Sequence, residues 1–330
     1  MRVDLMDNAN NTGGDAQGDV ISNIQNLIGS DVNNVLDRLY GDNGSNIIQG
    51  LRGINVIDGR GGFDFASYAD ATTGVKVDLS ISGEQQTNIS EDTLINIEGL
   101  IGSAHGDTLT GNGLDNELRG GAGNDSLYGL GGNDTLNGGA DNDYLDGGDG
   151  FDIASYAGAT APVTVDLTKQ GVAQDTGGAG TDTLVSIEGL IGSSHSDTFT
   201  LSATDTQGTI DGGDGSDTVV LQGLVDGGSY ELSGLADRLD NIETLDIKDG
   251  VSTTLTVTSQ DVQNMVDKGS ASVLRILADG GPGADILVID APVDTYSTEV
   301  FAEYTQYTLY SDNTLTLGQE IAQIQWQSVA

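Results

Sequence analysis

The sequence predicts an all-β fold, a parallel β-solenoid of very short coils, and three observations carry that reading. Six nine-residue rows run without a break from Gly102 to Ser155. Each is a variation on Gly-Gly-x-Gly-x-Asp-x-U-x, with U a large aliphatic residue, the pattern of a stacked parallel β-helix repeat. Glycine supplies 50 of the 330 residues, and 51 acidic residues face 11 basic ones.

The rows open at Gly102, Gly111, Gly120, Gly129, Gly138 and Gly147. The third reads Gly120-Gly121-Ala122-Gly123-Asn124-Asp125-Ser126-Leu127-Tyr128. Glycines at the first, second and fourth places, Gly121, Gly123, Gly132, Gly139, Gly148 and Gly150 among them, let the turn close and draw its carbonyls together. The x-U-x triplet is a short strand whose inward residue (Leu109, Leu118, Leu127, Leu136, Leu145) stacks on its equivalents, because one row alone cannot bury it. A turn and a strand take one row, so two rows make a coil and alternate rows share an edge. Asp107, Asp125 and Asp143 then form a ladder on one edge, and Asn116, Asp134 and Asp152 form the ladder on the other.

An aspartate carboxylate beside several carbonyl oxygens is the hard-oxygen set that calcium prefers. Several calcium ions are therefore expected, each between two turns of one ladder. The formal charge of −40 opposes a compact state unless something neutralises it. The roll is thus expected to be disordered without calcium and folded with it, since binding to a site absent from the unfolded chain is folding energy. The same charge excludes nucleic acid as a partner, because no basic patch meets phosphates. Without cysteine there are no disulfides and no thiolate metal site. No stretch has the length of a membrane span, and the chain is read as a monomer. Met1-Arg2-Val3-Asp4-Leu5 lacks the apolar core of a secretory leader, so export is expected without an N-terminal signal peptide.

A longer repeat of about 75–90 residues encloses the nonapeptides. It opens on Val-Asp-Leu (Val3–Leu5, Val77–Leu79, Val165–Leu167) and continues through a polar loop. Asp-Thr-Leu-x-x-Ile-Glu-Gly-Leu-Ile-Gly-Ser follows at Asp92–Ser103 and Asp182–Ser193, with a degenerate copy from Asp19 to Ser30. Nonapeptide rows come next, and Phe-Asp-x-Ala-Ser-Tyr closes the first two blocks at Phe63–Tyr68 and Phe151–Tyr156. β-branched and aliphatic runs between Gly, Asn and Asp turns predict strands, so the inserts should continue the roll as wider coils. Because the chain begins inside this repeat, it is expected to be the C-terminal piece of a longer protein.

The blocks differ in metal quality. Rows of the first open at Gly29, Gly41, Gly50 and Gly59, with a three-residue interruption at Arg38-Leu39-Tyr40. Position six is then Asn34, Asn46, Asn55 and finally Asp64, and neutral amides predict weak or partly filled sites. The third block keeps Asp197 and one full row ending at Asp217, and a stray row ends at Asp285. Residues 1–225 are read as the calcium-binding roll. Residues 226–330 are read as a small, mainly-β capping unit with one short helix over 259–268 and strands at 273–277, 305–310 and 314–317.

The tandem rows resemble the RTX family of bacterial proteins secreted by type I systems, over about residues 20–220. The fuller pattern, with Ile-Glu-Gly-Leu-Ile-Gly-Ser and Phe-Asp-x-Ala-Ser-Tyr, is similar to the C-terminal regions of giant surface adhesins and to the R-modules of alginate epimerases. The end, from Asn241-Ile242-Glu243 to Tyr304-Thr305-Gln306-Tyr307, resembles the terminal unit of such adhesins. The resemblance implies a right-handed parallel β-roll, a secreted or cell-surface location, and export C-terminus first through an uncleaved signal in the tail. It makes the type I secretion apparatus a partner.

An enzyme is not expected, as no His-Glu-x-x-His or Gly-x-Ser-x-Gly is present. His105 and His195 sit at equivalent places and read as structural. Phe63, Phe151, Tyr68 and Tyr156 read as core or coil-end packing rather than a sugar platform. Trp326 is open between a core anchor and an exporter contact. The principal reading is a calcium-dependent folding and secretion module of an adhesin. The alternative is the accessory module of an exported epimerase, lipase or protease, or an anchoring segment of a surface layer.

Overall fold

Each x-U-x triplet is a short strand: Thr108–Thr110, Glu117–Ala122, Ser126–Gly131, Thr135–Ala140, Tyr144–Asp149 and Ile153–Ser155. Alternate rows pair in parallel. Leu109 lies in register with Leu127 and Leu127 with Leu145 on one sheet; Leu118 pairs with Leu136 and Leu136 with Ala154 on the other. Two rows therefore make one coil. The five leucines are at most 1 % exposed and form the spine of the core. The computed structural model describes residues 1–13, 24–33, 35–204, 207–226, 228–231, 233–247, 253–257, 272–279, 286–289, 296–300 and 304–311.

The described chain divides into two compact units: residues 1–156 with 170–173 and 179–187, and residues 157–169 with 174–178 and the chain from 188 onward. The boundary at 225 read from the sequence falls inside the second. In the first unit the inserts continue the solenoid. Lys76–Asp78 pairs in parallel with Thr108–Thr110, and Gly99–Ile101 lies between Phe65–Ser67 and Glu117–Ala122. Ser90–Ile95 pairs in parallel with Gly53–Asp58 and carries the antiparallel strand Glu84–Gln86 as a local hairpin. The Val-Asp-Leu strands share one tie: the Asp4 N–H donates to Asn11 Oδ1 (2.7 Å) and the Asp78 N–H to Gln85 Oε1 (2.8 Å).

The first block corrects one sequence assignment. Arg38-Leu39-Tyr40 is no interruption: Leu36–Tyr40 is a strand, and Leu39 is fully buried as its inward residue. Position six of that row is Asp37, which accepts from the Ser30 N–H (2.6 Å) and hydroxyl (2.7 Å). The three extra residues lie in the turn before Asp37, where a longer loop leaves the strand register intact. Asn34 lies outside the described residues.

In the second unit Thr164–Asp166, Thr198–Ser202, Thr218–Gln222, Thr244–Asp246 and Ser272–Asp279 form successive parallel pairs. Phe199, Val219 and Leu245 are fully buried along this stack. Tyr304–Ser311 then adds antiparallel to Ser272–Asp279, and Tyr296–Val300 adds antiparallel to it. That reversal ends the run of parallel pairs in this sheet. A short helix spans Ser233–Ala236. The expected helix over 259–268, Asp285 with its row, the strand at 314–317 and Trp326 lie outside the described residues. Among the described residues no helix is long and apolar enough to cross a membrane.

Candidate metal centre

The strand register places position six of every second row in line, and the backbone threads these side chains into ladders. The Asp107 N–H donates to Asp125 Oδ1 (2.7 Å), Asp125 N–H to Asp143 Oδ1 (2.8 Å), and Asp143 N–H to Asp182 Oδ1 (3.0 Å). On the other edge Asn116 donates to Asp134 (2.7 Å) and Asp134 to Asp152 (2.8 Å). In the first block Asn46 donates to Asp64 (2.7 Å), and Asp64 to Glu98 Oε2 (2.9 Å). Within the second unit Asp197 donates to Asp217 (2.7 Å), and Asp217 to Glu243 Oε2 (2.7 Å). Asp182, Glu98 and Glu243 are ladder members that the nine-residue alignment misses. Their signal is the recurring Asp-Thr-Leu and Ile-Glu motifs, whose acids fall off the period but on the ladder.

One carboxylate oxygen is committed to the ladder; the second decides the chemistry. In Asp64, Asp125, Asp134, Asp143 and Asp217 it is buried and has no hydrogen-bond partner in the protein. Oxygens of two turns converge here. A Cβ at Gly120 would collide with both Asp125 Oδ2 and the carbonyl oxygen of Gly138, one coil on. At Gly139, where φ is +103°, a Cβ would run into the Gly121 carbonyl oxygen. Gly121, Gly123, Gly132, Gly148 and Gly150 share positive φ values from 98° to 145°. Buried carboxylate oxygens without partners, beside backbone carbonyls, fit a hard divalent cation. Among the described residues no three Asp, Glu or His side chains converge as a metal cluster, so backbone carbonyls would supply much of any coordination shell.

Electrostatics single out the same groups. Burial, and then the charges of Asp143, Asp107 and Asp141, push the Asp125 carboxyl up to about 8 against the ladder hydrogen bond from Asp107. Burial and neighbouring acids raise Asp143 and Asp217 to about 7, and Asp64 and Asp134 to about 6. A cation would replace the missing counter-charge.

The other expected ligands are placed differently. Asp107 accepts from the Ser103 N–H (2.5 Å) and hydroxyl (2.9 Å), and Asp197 from the Ser193 N–H (2.6 Å) and hydroxyl (2.9 Å). Asn46 and Asn116 accept from the N–H groups of Asp42 (2.8 Å) and Asn112 (2.7 Å). Asp92 is closed by another device: buried Tyr68 donates its hydroxyl to Asp92 Oδ2 at 2.9 Å. Tyr68 and Tyr156 are only 4 % and 5 % exposed, which fits packing rather than a sugar platform. The His105 and His195 N–H groups bond the Ser103 and Ser193 hydroxyls at 3.1 and 3.0 Å, equivalent turn contacts within each row. Position five adds an outer ladder unmarked in the repeat template. The Asn142 N–H donates to Asn124 Oδ1 (3.0 Å) and the Phe151 N–H to Asn133 Oδ1 (2.9 Å).

Parallel coils of two nine-residue rows, with a buried aspartate or asparagine at the turns, define a β-roll solenoid of the calcium-binding kind. The family model for the RTX calcium-binding nonapeptide repeat matches the chain in four copies, at residues 37–66, 101–136, 119–154 and 209–222. These matches cover less than half of the chain, and they support a calcium-binding, secreted protein of RTX type. The first match begins at Asp37, the position-six residue of its row. A search of curated proteins finds no match.

Proposed function

We propose that the chain is a calcium-dependent folding and type I secretion module at the C-terminus of a large secreted or surface adhesin. The observation that carries the reading is the set of buried, unpartnered carboxylate oxygens on Asp64, Asp125, Asp134, Asp143 and Asp217. Burying an ionised carboxylate without a partner costs several kcal/mol on the order of the desolvation penalty, so the folded chain calls for a counter-ion. Calcium, when bound, supplies positive charge and joins one turn to the next. The chain's own residues do the rest. Ladder hydrogen bonds fix one oxygen of each aspartate and aim the other at the carbonyls of the neighbouring turn.

Export follows from the same balance. Weak extracellular calcium sites fill at roughly 0.1–1 mM, above cytosolic calcium. The chain stays unfolded inside the cell, threads the exporter, and folds outside. Calcium then stabilises only the native state and opposes backsliding. We assign the signal to the tail after Ile276, where no Lys or Arg occurs, and assign the module no catalytic role. The test is export from a strain carrying the transporter. Deletion of residues 277–330 should abolish secretion, and fusion of residues 226–330 to a passenger should confer it. Secretion of the truncated chain with retention of the fusion would contradict the proposal.

A further inference from the structure

Twelve rows can be sorted by the backbone at their second position, and the sorting coincides with the state of the position-six side chain. In seven rows the second residue has positive φ: Leu51 (62°), Arg60 (72°), Gly121 (114°), Leu130 (77°), Gly139 (103°), Gly148 (98°) and Gly213 (88°). In six of these rows the second-position N–H leaves an oxygen of the position-six side chain without a partner. Among them are the five rows with an unpartnered aspartate oxygen, Asp64, Asp125, Asp134, Asp143 and Asp217, and the row of Asn55, whose Oδ1 is also unpartnered. In the other five rows the second residue is Ser30, Asp42, Ser103, Asn112 or Ser193. There its N–H donates into the position-six side chain at 2.5–2.8 Å.

The side chain at that position holds the second conformation in place. Asp42 Oδ1 accepts from the Gly44 N–H (2.8 Å), Asn112 Oδ1 from the Leu114 N–H (2.8 Å), and Ser103 Oγ from the His105 N–H (3.1 Å). These are turns in which Ser, Asn or Asp bonds the backbone two residues on. Such a turn points the second-position N–H inward at position six. A residue with positive φ turns that N–H away and leaves the carboxylate oxygen open to the neighbouring coil.

We propose that the second residue of each row decides whether the row takes a divalent cation. The rows of Asp64, Asp125, Asp134, Asp143 and Asp217 bind calcium. The acids Asp107 and Asp197 are hydrogen-bond acceptors of self-closed turns and bind none. The consequence is a pattern along the chain: the run of open rows from Gly120 to Asp143 carries the metal, and the rows of Ser103 and Asn112 lead into it metal-free. Position six alone does not mark a site, since Asp107 and Asp125 are identical there.

This assignment rests on the calcium reading above, and the experiment separates the two. Calcium bound per folded full-length chain is counted by elemental analysis after gel filtration in buffered calcium, with folding checked by circular dichroism. Asp107→Asn and Asp197→Asn should keep the wild-type calcium content. Asp125→Asn and Asp143→Asn should lower it. Should the middle-block variants fail to fold, Asp217→Asn in the second unit supplies the same comparison against Asp197→Asn. Equal losses from the closed-row and open-row variants would overturn the sorting while leaving calcium binding intact. A folded wild-type chain without bound calcium would overturn both.

Discussion

The backbone N–H of Asp107 donates to Oδ1 of Asp125 across 2.7 Å, eighteen residues on, and so ties one oxygen of that carboxylate to the neighbouring coil. Its Oδ2 is buried with no protein partner, and Asp107, Asp141 and Asp143 surround the group with like charge. Asp125→Asn keeps the ladder acceptor and removes the charge. In millimolar calcium it should lose more stability than Asp64→Asn, whose ladder donor is the neutral Asn46. In calcium-free buffer it should gain, because the unpaired charge is gone. Paired urea melts with and without calcium check this, and an effect of the same sign in both would contradict it.

The raised carboxyls predict an unusual pH response of the calcium-free chain. An unfolded aspartate titrates near 3.9, whereas burial lifts Asp125 to about 8, Asp143 and Asp217 to about 7, and Asp64 and Asp134 to about 6. The folded state then binds more protons than the unfolded state, so stability falls as pH rises through about 4 to 8. Acidifying calcium-stripped protein from pH 8 toward pH 5 should therefore increase β-structure in the far-ultraviolet spectrum. A spectrum that loses β-structure over that window would show the carboxylates to be paired as ordinary surface acids.

Backbone strain offers a stabilising change. Leu130 occupies the second place of its row at φ +77°, and its side chain is exposed. Leu130→Gly should relieve about 1 kcal/mol of left-handed strain, raising the melting temperature in calcium. Gly139→Ala should lower it, since its Cβ would meet the Gly121 carbonyl oxygen. Thermal melts in saturating calcium measure both, and a fall for Leu130→Gly or a rise for Gly139→Ala would contradict the turn assignment.

Tyr68 stands where a cation would otherwise be needed, with its hydroxyl on Asp92 Oδ2 at 2.9 Å. Tyr68→Phe leaves a buried carboxylate short of one donor and should cost about 1–3 kcal/mol. The wild-type calcium content should be retained. Loss of bound calcium in this variant would place an ion at Asp92 instead.

The parts legible in sequence were those that repeat at a fixed interval. The leucine spine from Leu109 to Leu145 and the Asp125–Asp143 rung follow from a nine-residue period, because two rows to a coil put every second row on one edge. Asp37 escaped because three residues inserted before it shift the count while the strand at Leu39 keeps its place. Glu98 and Glu243 escaped because a longer side chain reaches the ladder from a different motif. The contrast between Asp107 and Asp125 depends on the backbone angle at Ser103 and Gly121, which residue types only hint at: Leu130 and Arg60 adopt the glycine-like angle.

Calcium titration of the stripped full-length chain at neutral pH, followed by far-ultraviolet circular dichroism, tests the central claim most directly. The account predicts a coil-like spectrum in chelator that converts cooperatively to β-structure on the order of millimolar free calcium or below, with magnesium unable to substitute at equal concentration. A fully β spectrum in excess chelator, unchanged by calcium, would contradict it.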